Sequence, residues 1–238
     1  MTERSGPDDN RRMTLRVRPL DEADWKTLRE IRLRALLDAP GSFYGTYQES
    51  VALTEDDWRA RLAGADRVIL LAELDDRPVG MISGAPTSED ERDPEAALML
   101  AMWVEPESRG HGAADALTDA LLKWSREQGY ERLLLWVYDA APRAAAFYRR
   151  AGFVATGRVE VFHDPSRPLS LMSQALSHVA PAASLQAPAE DPFGMDPDDL
   201  AAEAGPRRLD VVEGLGPAAD LDAADRPAPI GRDVVDDQ

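Results

Sequence analysis

The stretch that most constrains this chain is Met102-Trp103-Val104-Glu105-Pro106-Glu107-Ser108-Arg109-Gly110-His111-Gly112-Ala113-Ala114. The apolar run Leu98–Val104 leading into it reads as a buried strand, and Pro106 ends that strand because proline cannot donate to a ladder. After the glycines, apolar residues recur at Ala113, Ala116, Leu117, Ala120, Leu121 and Trp124, the spacing of one helix face. A strand therefore feeds a glycine turn, and the turn feeds a helix N-terminus. Free amide groups and the helix dipole make such an end receptive to an anion. Gly110 and Gly112 carry no side chain to hold a phosphate away. The same glycines would also serve an ordinary close-packed turn, and on this loop alone both readings stay open.

The anion loop is not a P-loop, since no Gly-Lys-Ser/Thr follows. Nor is it a full dinucleotide fingerprint, because Asp115 stands at the third glycine position. Composition narrows the chemistry further. With 44% apolar residues the chain can bury a sizeable core, and with no cysteine it has no thiol nucleophile, disulfide or cysteine-held zinc. His111, His163 and His178 are far apart, so no histidine metal site is expected. No run approaches the roughly 18 apolar residues of a membrane span, and the first twenty residues lack an apolar signal core. The expectation is a soluble, cytoplasmic protein with no membrane partner. The net charge of −17 divides into −7 over residues 1–178 and −10 over 179–238, which disfavours nucleic acid as a partner.

Along the chain, residues 1–12 read as a disordered leader. Thr14–Arg18 reads as a strand, followed by a helix capped by Asp21 and Asp24 with Trp25, Leu28, Ile31 and Ala35 on its inner face and Pro40-Gly41 at its end. Ser42–Gly45 is a loop with two adjacent aromatics, and Thr54 with Asp57 starts a second helix. Val68–Leu74 and Pro78–Ser83 form a hairpin, Pro86–Pro94 an acidic loop, Leu98–Val104 the fourth strand and Ala113–Gln128 a helix closed by Gly129. Leu133–Tyr138 is the fifth strand, Pro142–Arg150 a helix, and Phe153–Phe162 and Leu169–Leu176 two final strands. From Val179 the pattern fails. The 179–238 tail is rich in Ala, Pro, Gly and Asp and is expected to be mostly disordered, with a short helix at Pro197–Ala204 and a weak strand or docking motif at Leu209–Leu215 as its best candidates. Residues 13–178 are expected to form one domain.

A second motif lies in Leu135–Phe153, where a strand is followed by Ala144, Phe147, Tyr148, Gly152 and Phe153. Together with Arg109-x-x-Gly112-x-Ala114, it resembles the paired signatures of the GNAT superfamily of N-acetyltransferases, over about residues 14–177. The resemblance implies an α/β (α+β) fold: a mixed, largely antiparallel sheet of about seven strands, helices on both faces, and a splayed parallel pair of fourth and fifth strands. It also implies an enzyme that moves an acetyl group from acetyl-CoA, with no metal, to a primary amine of a small molecule or protein by direct attack. A non-catalytic acyl-CoA-binding sensor or interaction module is the competing class, and a homodimer stays open.

The resemblance further implies which residues do this. Acetyl-CoA would lie between the splayed strands, its pyrophosphate on the amides from Arg109 through Gly110, His111, Gly112 and Ala113 to Ala114, and its pantetheine arm along Met102, Trp103 and Val104. Arg109 would add charge near phosphate. Ala141, Ala144 and Phe147 would complete the cofactor wall, although relatives carry Asn where this chain has Ala141, which removes one contact. The Val104 amide would polarise the thioester carbonyl and stabilise the oxyanion. Tyr148 holds the family position of the general acid that protonates the leaving thiolate. Phe43, Tyr44 and Tyr138 would line the acceptor site. No base is assigned; Glu73 and Glu95 are carboxylates on the second and fourth strands.

Overall fold

The computed structural model describes residues 13–43, 45–87, 93–161 and 166–177, and statements of absence below refer to these. The leader, the tail with its candidate helix and strand, Tyr44, His163, His178 and most of the acidic loop lie outside the described residues.

Seven strands form one sheet in the order β1-β2-β3-β4-β5-β7-β6, with β1 Leu15–Pro19, β2 Val68–Leu74, β3 Arg77–Pro86, β4 Ala96–Val104, β5 Arg132–Tyr138, β6 Val154–Glu160 and β7 Leu169–Ala175. Only β4 and β5 run parallel; every other neighbouring pair is antiparallel. The mixed sheet expected from the sequence is therefore present, and β7 inserts between β5 and β6. The helices are α1 Trp25–Asp38, α2 Tyr47–Val51, α3 Glu55–Ala60, α4 Ala113–Glu127 and α5 Pro142–Arg150. Asp21 and Asp24 cap each other as the sequence predicts, but around a short turn at Glu22–Asp24 that precedes α1. Thr54 and Asp57 form the same reciprocal cap on α3. The sequence reading missed α2, whose Thr46–Glu49 capping box opens a helix too short to show a period. Among the described residues no helix is long and apolar enough to cross a membrane.

Alternation along the strands divides the core into two layers. On one face, Leu134 and Trp136 of β5 join Leu28, Ile31 and Ala35 of α1. On the other, Leu133, Leu135 and Val137 join Leu117 and Leu121 of α4 and Phe147 of α5. Helix α4 sits close on β3 because two glycines clear its path. A Cβ on Gly80 would lie 3.2 Å from Leu117, and one on Gly84 would lie 2.5 Å from Leu121 and 2.8 Å from Trp124.

The alternation slips once. In β4, Leu98 and Leu100 face α1, as the period requires, but so does the very next residue, Ala101, while Met99, Met102 and Val104 face α4. Ala101 has φ 52°, left-handed for a residue with a Cβ, and the β3–β4 register shifts at the same place. This is a β-bulge, one extra residue that bends its strand.

Candidate active site

Beyond the bulge, β4 and β5 part. Their pairing covers Ala96–Met99 against Arg132–Leu135 and stops. β4 continues alongside β3 to Val104, and β5 alongside β7 to Tyr138. The facing edges of Leu100–Val104 and Trp136–Tyr138 thus have no strand between them. The amide of Glu105 donates to the Val79 carbonyl at 2.8 Å, and neighbouring residues on an antiparallel strand point their amides to opposite sides. The Val104 N–H is accordingly directed away from β3, into the parting. Met102 and Val104 set their side chains toward α4, and Trp103 toward α1.

The glycine loop closes one end of this cleft. After a single turn at Pro106–Ser108, Gly110 and Gly112 take φ values of 79° and 85°. The first helical bond of α4 runs from Ala116 to the Gly112 carbonyl, and no side chain caps the helix. The six amides from Gly110 to Asp115 have no acceptor among the described residues. Gly110, Gly112, Ala114 and Asp115 bound a cavity of about 470 Å³ whose walls include Val104, Ser108, Phe147, Arg143 and Arg150. Arg109, Gly110, Gly112, Ala114 and Phe147 come together here, while exposed His111 and buried Ala113 lie off the cavity wall. Ala144 is buried on the inner face of α5, and buried Ala141 immediately precedes that helix, its amide donating to the Tyr138 carbonyl. The two arginines went unnoticed in the sequence, yet Arg143, Phe147 and Arg150 recur at helical spacing.

Arg109 lines this cavity, but its guanidinium is engaged elsewhere. Nη2 donates to Asp38 at 2.6 Å, and Nε to the Val104 carbonyl at 3.0 Å. Asp38 also accepts from the Trp103 indole at 2.8 Å. One helical turn back on α1, Arg34 pairs with Glu105, which is bound in addition by Arg77. Burial pushes the Glu105 carboxyl up, but the hydrogen bond from Arg77 and the charge and hydrogen bond from Arg34 prevail and hold it below its ordinary range. Two ion pairs of opposite sense, Arg34–Glu105 and Asp38–Arg109, clamp α1 to the end of β4. Arg109 supplies this clamp, and the cations directed by α5 at the cavity are Arg143 and Arg150.

Tyr148 is fully buried between Phe147 and Phe153, edge-on to both at centroid distances of 5.3 and 5.9 Å. Its hydroxyl has no hydrogen-bond partner, and burial raises its pKa well above the ordinary tyrosine value. Glu73 is bound by Arg16 and Arg18 between β1 and β2. Glu95 pairs with Arg132 at the opposite end of β4 from the parting. Neither stands at the cleft.

A second cavity of about 700 Å³ lies where α1 ends. Phe43 and Tyr138 line it together with Leu36, Tyr47 and Leu169. The Tyr138 hydroxyl donates to the Gly41 carbonyl at 3.2 Å.

Residues 25–153 match the family model described as "Acetyltransferase (GNAT) family". Human N-acetyltransferase 8 is 30% identical over 88 residues, which is 37% of this chain and 39% of that protein. The chain spans under half the length of the curated relatives it matches. Among solved structures, an acetyltransferase of the GNAT family from Streptococcus pneumoniae superposes with a TM-score of 0.58 at 19% identity, over 69% of this chain and all of that one. The PaiA N-acetyltransferase of Thermoplasma acidophilum, in complex with coenzyme A, gives 0.53 at 17% identity over 68% of this chain and 99% of that one. At these identities the likeness speaks for the fold.

Proposed function

The chain belongs to the acetyltransferase (GNAT) family, and from that premise we propose that it moves an acetyl group from acetyl-CoA to a primary amine by direct attack. The observation that carries this reading is the parting of β4 from β5 at Met99, with six unpartnered amides at its end. A parted strand edge offers backbone groups to an extended amide-bearing arm, as an added strand would. A helix N-terminus without a cap offers amides and dipole to a pyrophosphate. The residues present fit acetyl-CoA in both respects, and Arg143 and Arg150 add charge that suits further phosphate.

In this reading the Val104 amide polarises the thioester carbonyl and holds the charge that develops on its oxygen. The acceptor nitrogen bonds to the acetyl carbon as the carbon–sulfur bond breaks; the nitrogen loses a proton to solvent, the thiolate gains one, and the donor is reprotonated from solvent. Tyr148 supplies the thiolate proton. Its raised pKa keeps it protonated throughout the neutral range, so the proton is always present to give. The Arg34–Glu105 and Asp38–Arg109 pairs keep Val104 in register with the loop. The acceptor enters by the cavity of Phe43 and Tyr138, and Tyr44 belongs to the same proposal. Residues 13–178 are the catalytic unit.

The test is calorimetry with acetyl-CoA, together with thiol release over a panel of amines. The expectation is one binding site and thiol release that requires an amine, with the acceptor gaining the mass of an acetyl group. Binding without thiol release on any amine would make the chain a sensor; absence of binding would refute the placement.

A further inference from the structure

The cavity at the end of α1 is apolar on most of its wall, yet it holds a cation positioned by two groups. The Arg167 guanidinium lies over the Tyr138 ring, 4.0 Å from its centroid. Its Nη1 donates to the Gly41 carbonyl at 2.7 Å. It also occupies the space a side chain at 41 would need, since a Cβ on Gly41 would come within 2.9 Å of Nη1. An arginine is costly to order, because a long side chain loses much rotamer freedom when it is held. Arg167 has no carboxylate within ion-pair distance among the described residues, so its charge is answered only by the Tyr138 ring and the Gly41 carbonyl. The one carboxylate lining the cavity, Glu49, is held by the Thr46 amide and hydroxyl at the start of α2.

Resting on the acetyl-transfer reading above, we infer that the acceptor is a small amine carrying an apolar body and a carboxylate, and that Arg167 is the residue that selects the carboxylate. Leu36, Phe43 and Tyr47 take the apolar body. Tyr138 orients the guanidinium by its ring, and Gly41 by its carbonyl, which leaves the remaining N–H groups for a two-pronged contact with a carboxylate. The apolar wall lowers the local dielectric and strengthens that contact. An amine without a carboxylate would leave the cation unanswered in the filled cavity. Discrimination therefore comes both from the bond gained and from a charge otherwise stranded.

The experiment compares acids with their matched amides as acceptors: phenylalanine with phenylalaninamide, and 4-(aminomethyl)benzoate with 4-(aminomethyl)benzamide. These pairs keep the apolar body and vary the distance from amine to carboxylate. Thiol release is measured on the full chain. The expected result is a kcat/KM for the acid of at least one pair roughly ten- to a hundredfold above that of its amide, the range of a charge-assisted contact. Arg167→Met should abolish that preference and Arg167→Lys retain part of it, while affinity for acetyl-CoA and the melting temperature stay as in the parent. Amides equal to or better than their acids in both pairs, or a preference that survives Arg167→Met, would overturn the inference while leaving acetyl transfer standing. No acetyl-CoA binding at all would instead remove the reading on which it rests.

Discussion

Residues Ala96–Met99 and Leu100–Val104 are consecutive halves of one strand, all nine of them buried. The first half is hydrogen-bonded to β3 on one side and β5 on the other. The second half keeps β3 and loses β5. By side chains alone the halves cannot be told apart, since both fill the same two core layers. What separates them is the left-handed backbone at Ala101. One inserted residue turns the strand without exposing any of its side chains, so the core stays closed while a row of backbone groups becomes available. The lesson is that a binding edge can be made inside a packed core, at the local cost of about 1–3 kcal/mol that a non-glycine residue in this backbone region carries.

That contrast yields expectations that can break it, the largest first. Tyr148→Phe leaves the packing intact and removes the proton donor proposed for the cleft half. The kcat should fall by roughly 10²- to 10⁴-fold with acetyl-CoA affinity nearly unchanged. Stability should hold or rise, because the hydroxyl is buried without a partner. Since burial raises the pKa of Tyr148 above the value of about 10 in an unfolded chain, its neutral folded form contributes stability below pH 10 that is lost as pH rises beyond. The parent should thus lose stability above pH 10 more steeply than the Phe variant in denaturant titrations. An unchanged kcat with chemistry rate-limiting would make Tyr148 a packing residue.

Two substitutions set the halves directly against each other. Met99→Ala, in the paired half, should cost about 2–5 kcal/mol in denaturant midpoint yet leave turnover per folded molecule unchanged. Gly112→Val, at the end of the parted half, puts a branched side chain at φ 85° among the free amides. It should weaken acetyl-CoA on the order of a hundredfold by calorimetry while the chain stays folded. If Met99→Ala abolished turnover as well, the halves would not be separable.

Asp38→Asn loosens the Arg109 side of the clamp. A fall of about tenfold in kcat is expected, with little change in KM for acetyl-CoA, because the loop amides remain and only the bearing of Val104 changes. Fluorescence of Trp103, whose indole donates to Asp38, reports the loosening independently. A rise in KM alone would show that Arg109 acts on phosphate after all. The smallest effect belongs to the tail: a chain ending at Ala180 should keep its melting temperature and its turnover, and a large loss in either would mean that the tail packs on the domain.

Much of this arrangement is legible in the sequence. The caps at Asp21–Asp24 and Thr54–Asp57, the bounds of β2 and the strand–glycine–helix unit all depend on residues within a few positions of one another. What stayed hidden has two physical causes. The bulge lies in an unbroken apolar run, Ala96 to Val104, where a slip in alternation leaves no polar residue out of step, and alanine is not a residue that advertises a left-handed turn. The clamp joins Asp38 to Arg109 across 71 positions, a distance at which sequence carries no pairing signal of its own. Its place in the loop directs Arg109 toward phosphate in the sequence, while the fold also engages Nη2 with Asp38 of α1 and Nε with the Val104 carbonyl.

The two glycines of β3 act as shims of zero thickness. Leu117 bears on the sheet at Gly80 and Leu121 at Gly84, and two bearing points determine the line of a rod. A single methyl at Gly84 would lift one point and tip the far end of α4, where the free amides are. Such a lesion would surface as poor acetyl-CoA binding in an otherwise sound protein. Its suppressors would arise not in the loop but at Leu121 or Trp124, by trimming the side chain that the methyl displaced.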